Sequence, residues 1–421
     1  MDTITHGIAG ALIGKSLFKG DDLFANRPMN RERMVTWATM LGAIFPDSDT
    51  LREIFSHNDL LVITWHRSIT HSLLCLPVFA LLLAALTRWI ARWRKWDAPS
   101  FAALVGIYAV GILSHILLDL VTSFGTMVWS PLKWSRPAWD LIYIVDFTFA
   151  GILLVPQILA WVHERPEKST RRALVSFMVF VLALFAVQKI ADVVGAPISA
   201  PSVFLFFLIL AALFLLPLRS AKEISKGKPA ESNNPGAHEP TVGQAIIRRR
   251  YNTAGLICGG VYIGLAVMAH HAALVRVKNF AAMQKLEVQN LGALPLPPSL
   301  WRWDGLVRTP RGVYELRMDL TQKSAFEATA NEAQRLPIEY RFYPEASPNV
   351  YIEAARELPA VQKVLWFDRF PVTRYREENG ESVVEFADMR FAQVHTGHAA
   401  PFVYRVRFGP GGNVLSQGWA K

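Results

Sequence analysis

Histidine and aspartate recur in short, regular groups over the first 120 residues, inside or beside apolar segments. Asp2 and His6 are four apart, and so are His115 and Asp119 in SHILLDLVTS, a spacing that puts both members of a pair on one helix face. Asp47 and Asp49 flank Ser48 just after Pro46, and His66 and His71 sit in HRSITHS. Imidazole together with carboxylate suits zinc, manganese or iron, whereas calcium asks for oxygen almost throughout. Ionisable groups at membrane depth are costly and by default mark function. We therefore read Asp47, Asp49, His71, His115 and Asp119 as ligands of a divalent metal, joined by His6 and His66. Asp2 would orient His6 or complete the shell. These seven ligands exceed what one tetrahedral ion takes, which favours two ions, with zinc first among the metals. Arg67 would either clamp an anionic oxygen or pair with Asp47 or Asp49. Thr70 offers a hydroxyl donor nearby, and Asp140 and Asp146 read either as support for the site or as helix-start carboxylates.

Such a cluster needs helices that bring its members to one depth. Apolar runs of spanning or near-spanning length fall at 73–90, 101–121, 141–162, 174–194, 203–218 and 253–275, preceded by two shorter apolar stretches at 4–18 and 34–45. The expected fold is an all-α polytopic membrane domain of six spans plus two short N-terminal helices, with a small C-terminal α+β soluble domain. The boundary is placed between 1–275 and 276–421, with the chemistry-bearing motifs confined to 1–160. Residues 221–247, rich in Lys, Glu, Ser, Asn, Pro and Gly, read as a flexible loop. In the C-terminal part, the stretches GVYELRMDL, SVVEFADMRF and FVYRVRFG alternate like strands, Asn379–Gly380 reads as a hairpin turn, and one helix is expected over 350–366.

The composition agrees with a membrane class. Of the 421 residues 52% are hydrophobic and only 19% charged, where soluble domains carry about a quarter charged. The net charge of +10 is positional. Basic residues fill 88–95, 165–172 and 219–250, while the connections 122–140 and 195–202 carry only Lys133 and Arg136. By the positive-inside rule the basic loops are cytoplasmic, and the metal cluster and C-terminal domain fall on the other, periplasmic side of a bacterial inner membrane. The charge therefore does not point to nucleic acid. Cys75 and Cys258 each lie in an apolar run, which excludes a disulfide framework. The N-terminus lacks the basic flank and cleavage site of a secretory signal.

The order Asp2-xxx-His6, FPDSD (45–49), HRSITHS (66–72) and HILLDLVTSFGT (115–126), followed by WSP (129–131) and Asp146, resembles the membrane-bound metal-dependent hydrolases, a family described as LexA-binding and inner-membrane-associated. The likeness covers roughly residues 1–160, and VVEFADMRF resembles a tail found in some members. It implies a hydrolase that uses a metal, and it implies association with the LexA repressor, although no docking site for a cytoplasmic repressor is legible in this chain. The expected activity is hydrolysis of a membrane-embedded or membrane-proximal ester, a phospholipid or lipid-linked phosphate among them, by metal-activated water. Asp49 and Arg67 are the expected catalytic residues. Two other readings stay open: an ion- or proton-coupled transporter using the same His/Asp set, and a non-catalytic metal-stabilised scaffold.

Overall fold

The computed structural model describes residues 1–17, 28–56, 58–164, 166–193, 200–215, 242–322, 339–391 and 402–420. Most of the expected flexible loop, 221–241, and the basic residues Lys19 and Arg27 lie outside the described residues. The chain opens with α1 (Thr3–Leu17) and α2 (Pro28–Ile44), a 3-10 turn at Phe45–Asp49, then α3 (Thr50–Phe55), α4 (Leu61–Thr64) and a second 3-10 turn at Ile69–His71. The longer helices α5 (Leu76–Arg94), α6 (Phe101–Leu120), α7 (Phe147–His163), α8 (Pro166–Val193), α9 (Ala200–Leu215) and α10 (Val242–Met283) follow.

Among the described residues, four helical segments, Leu76–Arg94, Phe101–Leu120, Glu167–Lys189 and Arg248–Met283, are long and apolar enough to cross a membrane, fewer than the six spans expected. The run at 141–162 falls short for a definite reason. Its first residues leave helical geometry to cap α6: the Leu141 and Ile142 N–H groups donate to Val121 O, and Trp139 N–H donates to Leu120 O. Asp146 then caps α7, accepting from the N–H groups of Thr148 and Phe149, and the helix starts only at Phe147. In the run at 203–218 the described apolar helix extends only over Val203–Leu215.

Helix α6 carries the stripe that organises the bundle. Leu104, Ile107, Tyr108, Gly111, Ile112, His115, Ile116 and Asp119 are all buried, at the three- and four-residue spacing of a single face. That face meets α2 at close range. A Cβ on Gly111 would lie 2.5 Å from Thr39 O, and one on Gly10 of α1 would lie 2.6 Å from the Ala43 side chain. Only glycine allows three backbones to approach this closely, and the approach sets His6 and His115 side by side. Exposed tryptophans mark both ends of the bundle: Trp89, Trp93 and Trp96 beside the basic end of α5, and Trp129, Trp134 and Trp139 in the loop after α6. Such belts sit at membrane–water interfaces.

The C-terminal part holds two antiparallel four-stranded sheets. The first is β1 (Asn290–Leu296), β2 (Arg302–Thr309), β3 (Gly312–Asp319) and β4 (Tyr340–Pro344); the second is β5 (Pro371–Glu378), β6 (Glu381–Asp388), β7 (Val403–Phe408) and β8 (Val414–Trp419). Asn379 and Gly380, both at positive φ, make the β5–β6 turn that the sequence suggests. The single helix expected over 350–366 is two, α11 (Val350–Arg356) and α12 (Pro359–Phe367), because Pro359 has no N–H to continue the first and suits the start of the second. Helix α10, at about 1.5 Å per residue, is roughly twice as long as a bilayer core is thick. Its last turns run into the first sheet, packing Ala273, Val277 and Phe280 on Trp303, Val307 and Leu316.

The second sheet and α12 sit on the end of the bundle where the His/Asp motifs lie. Leu60, Ile63 and Phe124 share one apolar cluster with Ile352, Val364, Phe367 and Phe386. Arg369 forms a two-pronged ion pair with Asp140 at 2.9 and 2.8 Å, and Arg390 donates to Ser123 O.

Candidate metal centre

Four side chains from three places in the chain converge: Asp47 from the 3-10 turn after α2, His71 from the turn before α5, and His115 and Asp119 from the buried stripe of α6. One donor atom from each lies within 4.8 Å of all the others. His71 Nε2 is 3.0 Å from His115 Nε2, 3.2 Å from Asp119 Oδ2 and 3.7 Å from Asp47 Oδ1. His115 Nε2 is 3.4 Å from each of those two carboxylate oxygens. Ligands bonded tetrahedrally to an ion at about 2.05 Å stand ~3.3 Å apart, so these spacings fit one small divalent cation.

The tautomers agree with that fit. His115 Nδ1 lies 2.6 Å from Ala43 O, which can only accept, so Nδ1 carries the proton and Nε2 presents a lone pair to the cluster. His71 Nδ1 faces Asp49 Oδ2 at 3.4 Å and the Thr70 hydroxyl at 3.0 Å. This carboxylate behind the imidazole directs His71 Nε2 inward. Asp119 Oδ2 is buried and has no hydrogen-bond partner, a costly state for a carboxylate oxygen unless a cation faces it. Two neutral imidazoles and two carboxylates carry two negative charges, matching a divalent ion.

Without an ion, a proton takes the cation's place. Burial alone would depress the His71 imidazole, but the surrounding Asp119, Asp47 and Asp49 carboxylates raise its pKa to about 10. Burial works against the charged form of Asp47, yet His115, His71 and the Thr3 hydroxyl at 2.5 Å hold that carboxyl well below its ordinary range. Asp49 is likewise buried and held low, by His66 and His71.

The other sequence candidates take supporting positions. Asp49 binds His66 Nδ1 at 2.8 Å, Arg67 N–H at 3.1 Å and the Thr70 hydroxyl at 2.9 Å, standing behind His71. His6 stacks on His115 with ring centroids 3.6 Å apart and places Nε2 3.2 Å from Asp119 Oδ1. That same oxygen takes Arg67 Nη2 at 3.0 Å and the Met1 amino group. Arg67 therefore pairs with Asp119, not with Asp47 or Asp49. Its φ of 61° is unusual for a side chain of this size, and the backbone is pinned by Asp49 on one side and by Met127 N–H on the other. The Asp2 carboxylate accepts from the N–H and hydroxyl of Thr5, in the first turn of α1, and the Asp2 carbonyl accepts from the His6 N–H at 3.2 Å; no described bond joins that carboxylate to the His6 ring. Asp146 caps α7 and also accepts from Tyr262 Oη at 2.8 Å and from Ser299 Oγ, joining the bundle to the connector before β2.

Sequence reasoning missed two participants. The Ala43 carbonyl is backbone and leaves no trace in residue type. Arg136 reads from the sequence only as loop charge, though a basic residue in a loop otherwise poor in charge, opposite the basic loops, departs from the alternation of Lys and Arg, and that departure is the available signal. It lies against the cluster's outer edge, donating to Ile63 O at 2.9 Å and His66 O at 2.5 Å. Burial and the positive charges of Arg67 and Arg390 lower its pKa to about 9.

Comparison with known families adds one finding. Residues 1–192 match the YdjM inner membrane protein family. The matched region contains every member of the cluster and α1 to α7, and with the apolar helices it places this chain among membrane proteins. The match carries no information on hydrolysis or on a metal. Neither the curated proteins nor the solved structures contain a match to this chain.

Proposed function

We propose that this protein is a metal-dependent hydrolase acting on an ester at or just within the membrane surface. The observation that carries the reading is the convergence of His71 Nε2, His115 Nε2, Asp47 and Asp119 on one point, with a carbonyl and a carboxylate fixing the two imidazoles from behind. A divalent ion held there, zinc, manganese or iron by its donor set, supplies Lewis-acid polarisation of the ester and activation of water. Asp49, directly and through Thr70, would hold His71 in the tautomer that binds, and His66 anchors the carboxylate from the other oxygen. Arg67, stacked over Phe124 at 5.0 Å, is placed beside Asp119 to meet negative charge developing on a bound ester. Asp47 also lines an apolar groove of about 550 Å³ with Leu41, Ile44, Leu83, Leu86 and Ile90, which would admit a hydrocarbon chain from the lipid side. A transport pathway would instead string its ionisable groups along a helix axis, and a point cluster favours the hydrolase.

Purified protein in lipid should cleave members of a panel of carboxylic esters and phosphoesters only with divalent metal present. Chelation should abolish turnover, and His115→Ala should not recover it when metal is added back. No metal-dependent cleavage anywhere in the panel, with metal-coupled flux in vesicles lost in Asp119→Asn, would replace the hydrolase with a transporter. We further infer that the site faces the periplasm: a reporter fused after Lys421 should be active there, and cytoplasmic activity would reverse the orientation.

A further inference from the structure

Three guanidinium groups pack on one aromatic cluster beside the candidate metal centre. Arg390 lies over Phe367 and Phe391 and is neutralised by Asp388 at 2.7 Å. Arg67 lies over Phe124 and pairs with Asp119 at 3.0 Å. Arg136 lies over Phe124 at 4.9 Å and over Phe367 at 5.2 Å, and no carboxylate forms an ion pair with it among the described residues. Its two described bonds go to the neutral carbonyls of Ile63 and His66. The Nε atoms of both Arg67 and Arg136 are sealed from solvent with no acceptor, and the Arg67 side chain is only 2% exposed. A largely enclosed cation with no ion-pair partner is among the costlier arrangements a fold can hold, and a second guanidinium over the same ring adds to that cost, although Asp119 pairs with it.

We propose that Arg136 and Arg67 form an anion subsite that takes the phosphoryl group of a phosphoester substrate next to the metal centre. This inference rests on the hydrolase reading and narrows it. Both guanidinium carbons lie about 5 Å from the Phe124 centroid, hence at most roughly 10 Å from each other, and a phosphate held between them would take a ~2.8 Å charge-assisted hydrogen bond from each. The chemistry discriminates between ester classes. A carboxylic ester is neutral and would leave Arg136 uncompensated, whereas a phosphodiester brings one negative charge and a phosphomonoester close to two. Guanidinium in place of ammonium also fits, since its planar fork matches two phosphate oxygens at once. Arg136 is then a specificity-determining residue: it selects the phosphoryl class and positions it, while the metal ligands do their work unaided by it.

The test measures binding without turnover. Detergent-purified full-length protein, stripped of metal by chelation, is titrated with inorganic phosphate at constant ionic strength in chloride, following the thermal unfolding midpoint. Wild type should rise in midpoint with phosphate, as any ligand of the native state makes it do. Arg136→Gln should bind phosphate at least tenfold more weakly, while Lys133→Gln, an exposed cation in the same loop, should match wild type. If Arg136→Gln does not fold, Arg136→Lys carries the test and should show a several-fold loss, keeping the charge but losing the fork. Equal phosphate affinity in wild type and the Arg136 variant, equal loss in the Arg136 and Lys133 variants, or no phosphate-specific rise in wild type overturns the subsite. A second pair of probes identifies the source: tighter binding of dihexanoyl phosphatidic acid than of glycerol phosphate assigns a lipid headgroup, the reverse assigns a soluble phosphoester, and both uphold the subsite. Metal-dependent cleavage of carboxylic esters alone would sink this inference and leave the hydrolase standing. Arg136-dependent phosphate binding with no turnover would do the opposite.

Discussion

Replacing Asp49 by asparagine separates a residue that holds the metal from one that holds a ligand. Asp49 Oδ2 receives Arg67 N–H at 3.1 Å and the Thr70 hydroxyl at 2.9 Å and faces His71 Nδ1 at 3.4 Å, while Oδ1 meets His66 Nδ1 at 2.8 Å. Asparagine keeps the shape but loses the charge and one acceptor, so His71 no longer has an anion stabilising a proton on Nδ1. The alternative tautomer, protonated on Nε2, cannot bind a cation. Loss of such a supporting carboxylate typically costs 10–100-fold in metal affinity, or about 1.4–2.8 kcal/mol. Removing a ligand outright, as in His115→Ala, should cost more. The assay is competition between detergent-purified protein and a chromophoric chelator for zinc, and the expected order is wild type, then Asp49→Asn, then His115→Ala. An Asp49→Asn affinity within twofold of wild type would show that the carboxylate does not orient His71. An affinity at or below that of His115→Ala would make Asp49 a ligand in its own right, and the four-residue centre would have to be redrawn.

The metal-free site should titrate with a definite sign: His71 is raised from 6.5 to about 10, so its proton stabilises the metal-free fold most fully below pH 6.5, and that contribution is lost as pH climbs towards 10. Because an ion must displace this proton, zinc affinity should rise about tenfold per pH unit between pH 7 and 9, and a flat profile there would mean that His71 is neutral without metal. Gly111→Ala would put a Cβ 2.5 Å from Thr39 O and 3.0 Å from Ala43 N, costing about 1–3 kcal/mol by overpacking and loosening the His115–Ala43 bond. Thermal unfolding and metal affinity should therefore fall together, and unchanged values would contradict the close α2–α6 contact.

The paired motifs were legible because each pair's geometry is local. His115 and Asp119 share a face through helix periodicity alone, and the apolar stripe around them shows that the face is buried. What the sequence could not show was the division of labour. His6, His66 and Asp49 have the same residue types as the four that converge, and only the packing of α1 and the two 3-10 turns sets them behind the cluster. The spans were overcounted because hydropathy sums over residues without seeing where the backbone is needed: Leu141 and Ile142 are as apolar as any membrane residue, yet their N–H groups close the end of α6. The helix expected over 350–366 erred in the opposite direction, since Pro359 was a visible break that apolar periodicity overrode. Of the strands in the C-terminal part, β3, β6 and β7 were legible from alternation, and Asn379–Gly380 marked the turn into β6, whereas β5 on the other side of that turn was not read.

Depth is the remaining argument for what the site can reach. Helix α6 has 20 residues, and at about 1.5 Å per residue it spans roughly the 30 Å of a hydrocarbon core. Asp119 is the last residue but one, so it lies ~2 Å inside one end, and His115 lies ~8 Å inside. Trp129, Trp134 and Trp139, exposed in the loop that follows, sit where aromatic belts mark the headgroup level. On the proposed function the four converging donors would lie at the layer in which a lipid's ester and phosphate groups reside, beside the apolar groove that Asp47 lines and the two guanidinium groups over Phe124. A proton or ion pathway would need groups continuing through the remaining ~20 Å, yet the buried stripe of α6 towards Phe101 is Leu104, Ile107, Tyr108 and Ile112. A site at one end of α6, with Leu104, Ile107, Tyr108 and Ile112 below it and the second C-terminal sheet packed on the same end of the bundle, fits the proposed receipt of a group from the membrane surface better than passage across it.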